Sequence, residues 1–390
     1  MSAAAPLPAG SAAPRSRIVS IDALRGLVIL LMLVDHAREF FFLHAQVSDP
    51  MDVADTEPAL FFTRMTAHLC APVFVALTGL AAYLYGEAKG GPRRASEFLF
   101  KRGLFLVVLE WTVINFGWWF DLTPVFYSLQ VIWVIGLSMI ALSALLHLPR
   151  AWLAGLGALI VLGHNLLDPI TVAPGEWGYT VWTILHDRGF LDLPWGGTAR
   201  TSYPLLPWIG VIALGYAIGP WFARDSDAAQ RQRRLILAGL SALGLFILLR
   251  AINVYGEPLR WTAGETPTMT VMSFLNVTKY PPSAAFLLLT LGIGAWLLVL
   301  FERVPRVRLD WLLIFGAVPL FFYILHLYLL HLLNLAASLI WPKSAAGFVS
   351  VPNIGFVWLL AIAIAIPCWF ACRWFGERKR ASRAWWMRYL

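Results

Sequence analysis

Charged side chains are scarce: Asp, Glu, Lys and Arg make up 13% of the 390 residues, against about 25% in a typical soluble domain. So few charges cannot keep a soluble surface of this size hydrated, which excludes the soluble globular class. Cysteine is scarce too, with only Cys70, Cys368 and Cys372. Three thiols make no disulfide framework, and Cys368 and Cys372, one helical turn apart, read as small apolar packing. Several signatures are missing altogether: no GxxxxGK[ST] loop, no GxGxxG after a strand, no GxSxG elbow and no HExxH. Their absence argues against nucleotide-driven transport, hydrolase-elbow chemistry and zincin chemistry, and no metal is expected. The opening MSAAAPLPAGSAAPRSR has no apolar core of the signal-peptide kind, so the first apolar helix is expected to direct insertion. Residues 1–17 read as a disordered tail.

Apolar residues, in contrast, make up 59% of the chain, with a mean hydropathy of +0.70. Crossing a bilayer takes about 20 apolar residues in a helix, and runs of that kind recur ten times. They fall near 20–40, 68–86, 102–119, 127–147, 151–168, 203–222, 234–252, 283–302, 311–334 and 353–373. The fold class is therefore all-α: a polytopic membrane bundle over residues 18–375, followed by a basic tail at 376–390. With both termini in the cytoplasm, 21 of the 30 basic residues fall on cytoplasmic segments, as the positive-inside tendency requires. The net charge of +8 is thereby explained by topology and an anionic leaflet, and no nucleic acid is expected as a partner. The longest segments between spans, about 41–67, 169–202 and 253–282, lie on the outer side.

Within the first run, SIDALRGLVILLMLVDHAREF, eleven residues separate Arg25 from His36. Eleven helical steps amount to three turns plus about 20°, so the two share a face about 16 Å apart along the axis. An intramembrane charge is a functional candidate by default, although Arg25 could also snorkel to the interface. Six of the eight histidines (His36, His44, His68, His164, His186 and His326) fall toward the outer half, and histidine is the usual general base near neutral pH. Asp35, Glu39, Asp121 and Asp168 share that zone and could orient an imidazole or pair with Arg38. Adjacent helical residues diverge by about 100°, so Asp35 is not the obvious partner of His36. Tyr323 lies one turn before His326 in FFYILHLYLLHLLN. In MSFLNVTKYPPS, Asn276, Lys279 and Tyr280 stand at the outer mouth, where a lysine could hold an anionic group. Asp35, Arg38, Asn276, Lys279 and Tyr280 are the candidate substrate contacts. The spacing of Ala76, Gly79 and Ala82 reads as close helix packing.

SIDALRGLVILLMLVDH resembles the first membrane helix of the heparan-α-glucosaminide N-acetyltransferase family and its bacterial relatives. It has their D-x-x-R-G entry, as Asp22, Arg25 and Gly26. The step from Arg25 to His36 is also the arginine-to-histidine spacing of the wider integral-membrane acyltransferases. The resemblance runs from about 17 to 375, through APVFVALTG, GHNLLD, YPLLPWIGV, NVTKYPPS and FFYILHLYLLH. It implies transfer of an acetyl or other short acyl group from cytoplasmic acyl-CoA to an amine or hydroxyl of an extracytoplasmic sugar or glycan. Arg25 and Gln130 would then hold the CoA. His36 or His44 would be the base or transient acyl carrier, with His68 and His326 as further catalytic candidates; His68 stands where the family often has aspartate. A bacterial inner membrane and a homodimer are the expected setting. The alternative reading is a proton-coupled transporter with a histidine-lined cavity.

Overall fold

A backbone in hydrocarbon must satisfy its own hydrogen bonds, so apolar runs of this length fold as helices. The computed structural model describes residues 18–42, 51–343, 349–382 and 384–388. Its elements are α1 (Val19–Phe41), α2 (Pro58–Thr66), α3 (Cys70–Lys89), α4 (Pro92–Leu109), α5 (Asn115–Trp119), β1 (Phe126–Leu129), α6 (Val131–Leu145), α7 (Arg150–Gly163) and α8 (Tyr179–Leu185). There follow β2 (Gly189–Asp192), β3 (Thr198–Thr201), α9 (Leu206–Ala217), α10 (Ala228–Ile252), α11 (Pro267–Leu275), α12 (Ala284–Arg303), α13 (Arg306–Ala317), α14 (Pro319–Ile340) and α15 (Ile354–Ala381).

Local chemistry sets the helix ends. Asp227, Thr266, Ser283 and Asn353 accept first-turn N–H groups of α10, α11, α12 and α15, each satisfying donors that a helix start leaves open. Pro319 opens α14 directly behind α13. A proline offers no N–H and restricts the residue before it, so the run expected as one helix at 311–334 is two helices joined at Val318. A single π-turn, Glu110–Ile114, joins α4 to α5, and α15 continues to Ala381, past the boundary expected at 375.

Among the described residues, six stretches are long and apolar enough to cross a membrane: Pro58–Lys89, Arg150–Leu167, Ala228–Ile252, Ala284–Arg303, Pro319–Ile340 and Ile354–Ala381. The 23-residue α1 carries Asp22, Arg25, Asp35, Arg38 and Glu39 and is outside that set. The architecture is an integral-membrane helical bundle. To it is added one small sheet, order β1-β3-β2, with β1 parallel and β2 antiparallel to β3. Its strands come from the segments beside the end of the bundle that contains His36.

Without a hydrophobic force between helices in lipid, association depends on close backbone approach. A Cβ on Gly79 would lie 2.0 Å from the Ile212 carbonyl oxygen, and one on Gly215 would lie 2.1 Å from that of Ala76. α3 and α9 thus pack antiparallel and in contact, as the small-residue spacing anticipates. A Cβ on Gly316 would fall 1.8 Å from the Asp22 carbonyl oxygen, which seats α13 against the start of α1. With these contacts α1 is held in the middle of the bundle, where Ala23, Val28, Ile29 and Ala37 are fully buried.

Candidate active site

One cavity of about 1300 Å³ runs along α1. At one end it is lined by Asp22, Arg25, Arg102, Arg224, Arg231 and Lys379, and at the other by Asp35, His36, Arg38, Arg64, Lys279 and Tyr280. Met32, Ala71, Phe74 and Leu320 line the apolar stretch between. The face shared by Arg25 and His36 is thus the wall of a passage, about 16 Å long between the two residues at 1.5 Å per helical residue.

At the near end, Arg25 donates from Nη1 to Asp22 at 3.2 Å and from Nη2 to the Leu77 carbonyl at 3.5 Å. Its guanidinium is held by neighbours on α1 and α3 and still faces the cavity. Tyr85 and Phe98, which also line the cavity, stack on each other with ring centroids 4.4 Å apart.

At the far end, His36 Nδ1 lies 2.7 Å from His326 Nε2, joining residues 290 positions apart. His326 is fully buried behind it, outside the cavity lining, and its Nδ1 sits 2.8 Å from the Phe322 carbonyl oxygen. A carbonyl only accepts, so that nitrogen carries the proton. A neutral His326 therefore keeps its lone pair on Nε2 and accepts from His36 Nδ1–H. This leaves the His36 Nε2 lone pair free, on a ring that lines the cavity. Trp118 and Tyr323 meet the His36 ring edge-on, with centroids at 5.0 and 5.9 Å. The Trp118 indole nitrogen and the Tyr323 hydroxyl are buried without hydrogen-bond partners among the described residues.

Asp35 points elsewhere, as the divergence of helical neighbours requires. It accepts from Arg64 at 2.6 Å and from Arg38 at 3.2 Å, and Arg38 also pairs with Glu39. Arg64 reaches the Tyr280 hydroxyl at 3.5 Å, and Tyr203 and Tyr280 hydroxyls lie 3.3 Å apart. Lys279 stands over both rings, its Nζ 5.2 Å from the Tyr280 centroid and 5.9 Å from that of Tyr203. Burial alone would raise the Tyr280 hydroxyl, but the positive charges of Lys279 and Arg64 outweigh it and bring the pKa down to about 8.

Gln130 also lines the cavity, but at the start of α6. Its backbone N–H and that of Trp133 donate to the two carboxylate oxygens of Glu110, each at 3.1 Å. Glu110 is fully buried in the π-turn, so an acidic side chain caps α6 and fixes where Gln130 stands.

Other expected residues are placed outside this arrangement. His68 lies in a short 3₁₀ turn with its ring against Phe286, centroids 5.1 Å apart, and does not line the cavity. Asn276 ends α11 and is likewise absent from the lining. His44 lies outside the described residues. His331 lies 3.0 Å from the Gly117 carbonyl oxygen and stacks on Phe120. His186 pairs with Asp187 at 2.9 Å and with Asp168 at 3.4 Å. Burial would depress its pKa, but the bonds to these two carboxylates prevail and raise it to about 9. Asp168 thus orients an imidazole as anticipated, at a position outside the cavity. Among the described residues no three His, Cys, Asp or Glu side chains converge as a metal site would need.

Arg64, Tyr203 and Glu110 were not singled out by sequence reasoning. The signal for Arg64 and Glu110 was available, since each interrupts an apolar run (TRMTAHLC and FLVVLEWTVI) and an intramembrane charge is a candidate on that ground alone. Tyr203 carries no such mark.

No curated protein matches the chain. A family model described as "Heparan-alpha-glucosaminide N-acetyltransferase, catalytic" matches residues 17–250. The matched region contains Arg25, His36, Arg64 and Gln130, while Lys279, Tyr280, Tyr323 and His326 lie beyond it. With well over half of its length matched, the chain belongs to the heparan-α-glucosaminide N-acetyltransferase family of membrane acetyltransferases.

Proposed function

We propose that the protein takes an acetyl or other short acyl group from acyl-CoA, entering at the Arg25 end, and transfers it to an amine or hydroxyl of a sugar or glycan at the His36 end. The observation that carries this reading is the single cavity shared by Arg25 and His36, with the His36–His326 pair at its far end. Arg25, Arg102, Arg224, Arg231 and Lys379 would receive the CoA phosphates, and the apolar stretch would take its arm. Gln130, on the capped end of α6, would stand beside the arm near the thioester. In the transfer itself, the acceptor nitrogen or oxygen attacks the thioester carbonyl while His36 Nε2 takes its proton. His326 accepts the His36 Nδ1–H throughout and fixes the tautomer. The C–S bond breaks, and the proton on Nε2 passes to the CoA sulfur. General-base catalysis of this kind contributes about 10²–10⁴-fold.

The distribution of basic residues supports ten spans with both termini cytoplasmic. On that topology the Arg25 end faces the cytoplasm and the sheet-bearing end faces outward, across what would be a bacterial inner membrane. Calorimetric titration of the detergent-purified protein with acetyl-CoA tests the reading. Saturable binding is expected, weakened about 10–100-fold in Arg25→Ala, the worth of one charge-assisted contact. If neither acetyl-CoA nor longer acyl-CoAs bind to folded protein, the reading fails. Substrate flux in proteoliposomes without acyl-CoA would then establish transport instead.

A further inference from the structure

Acyl transfer places negative charge on the thioester oxygen as the acceptor attacks, and donors already aimed at that oxygen are usually the largest single source of rate. Three rings pack against the ring of His36: His326, Trp118 and Tyr323. His326 has no donor to spare, since its one N–H is directed at the Phe322 carbonyl. Trp118 and Tyr323 each have one. The indole N–H and the phenol hydroxyl are buried without hydrogen-bond partners among the described residues, yet both side chains line the cavity. Tyr323 is 3% exposed. Buried polar groups are almost always bonded, and two unbonded donors beside one histidine call for a reason.

The fold holds both donors in place and brings them together. The π-turn Glu110–Ile114 takes one residue more than an α-turn, which rotates α5 by about 100° and sets the direction of Trp118. The Trp118 ring stacks parallel on Phe40, with centroids 5.5 Å apart, and Phe40 lies one turn beyond His36 on α1. Tyr323, one turn before His326 on α14, has its ring against that of His326 at 5.6 Å. Its hydroxyl lies beside the indole N–H without bonding to it, so the two donors converge. Donors fixed in advance need no reorganisation when charge develops, and exclusion of water makes each worth more.

Building on the acetyltransferase reading, the geometry points to Trp118 and Tyr323 as catalytic residues, whose N–H and O–H donate to the thioester oxygen of the bound acyl-CoA and to the oxyanion it becomes. As the acceptor nitrogen or oxygen bonds to the acyl carbon, the carbonyl π pair moves onto that oxygen and His36 Nε2 takes the acceptor's proton. The oxyanion stays between the two donors. It then returns its pair to the carbon as the C–S bond breaks, and the sulfur takes the proton from Nε2. Neither donor gives up its own proton.

The test is infrared difference spectroscopy of the full chain in detergent, saturated with acetyl-CoA carrying carbon-13 at the acetyl carbonyl, against the same sample with unlabelled acetyl-CoA. Wild type is expected to hold the thioester carbonyl band below its frequency in water, because two donors polarise the bond. Tyr323→Phe and Trp118→Phe should each raise the band, and the double variant should bring it to the frequency in water or above. With glucosamine as acceptor, each single variant should lower kcat by about 10²–10³-fold, the loss expected for one such donor. KM for acetyl-CoA and the pH profile should stay as in wild type, since His36 is untouched. Tyr323→Phe removes only an unbonded buried oxygen, so its thermal midpoint should be no lower than that of wild type. A band that stays at one frequency in wild type and all three variants, with acetyl-CoA bound, overturns the proposal and leaves the acetyltransferase reading intact. An unmoved band with a lowered midpoint in Tyr323→Phe makes the hydroxyl structural and overturns it equally. Failure of acetyl-CoA to bind overturns the acetyltransferase reading, and this proposal with it.

Discussion

Replacing His326 with leucine removes the acceptor for the His36 Nδ1–H while leaving the cavity wall unchanged, because His326 does not line it. A buried donor left without a partner costs about 1–3 kcal/mol. His36 can avoid that cost by moving its proton to Nε2, which puts the lone pair on the wrong nitrogen for base catalysis. At 1.36 kcal/mol per decade of rate, that preference lowers kcat by about 5–150-fold. KM for acyl-CoA should stay the same, since the donor end of the cavity is untouched. His326→Gln, whose amide oxygen can accept from His36, should recover part of the loss. The assay is transfer of labelled acetyl from acetyl-CoA in detergent, with kcat and KM separated. Undiminished kcat in His326→Leu would refute the tautomer argument. A rise in KM at constant kcat would make His326 a substrate-binding residue instead.

Glu110→Ala should destabilise the protein by about 1–3 kcal/mol for each of the two α6 N–H groups it leaves unbonded, seen as a lower thermal midpoint in detergent, with Glu110→Gln intermediate. Gly79→Ala puts a Cβ 2.0 Å from backbone on α9 and should cost at least about 1–3 kcal/mol, as overpacking does; Gly155→Ala, where no atom lies within 4 Å of the added carbon, should be tolerated. His186 has a raised pKa of about 9, so its stabilising pairing with Asp168 and Asp187 is complete below about pH 6.5, its unperturbed value, and is lost as pH rises through 9. Hydrogen exchange across residues 164–190 should therefore speed up over that window in wild type and be flat with pH, after correction for intrinsic rates, in His186→Gln.

Much of the helical frame was legible because a single force, hydrocarbon exclusion, writes it as runs of apolar residues. Most of the expected runs coincide with helices, six of which are long and apolar enough among the described residues to cross a membrane, and the run at 311–334 is split at Pro319, whose missing N–H ends a helix that hydropathy alone would continue. β1 was absorbed into the run at 127–147, since a four-residue apolar strand has no periodicity distinct from a helix start. On α1, the Arg25–His36 face could be read from the 100° step alone. The His36–His326 pair could not, because 290 residues separate its members and neither local sequence refers to the other. His68 is visible as a histidine, but the 3₁₀ turn at Ala67–Leu69 fixes its direction, and that turn is a tertiary consequence. Lys279 was legible as a cation at the far mouth; its place over the Tyr203 and Tyr280 rings, with no carboxylate paired to it among the described residues, emerged only from the fold.

On the proposed topology, donor and acceptor reach His36 from opposite sides of the membrane. Oriented proteoliposomes with acetyl-CoA confined to one compartment, and glucosamine and glucosamine 6-phosphate in the other, test this directly. Acetylated sugar is expected opposite the acetyl-CoA only when the Arg25 side faces the donor, and at a rate about 10²–10⁴-fold lower in His36→Ala. Transfer that requires both substrates in one compartment, or that is undiminished in His36→Ala, would refute this.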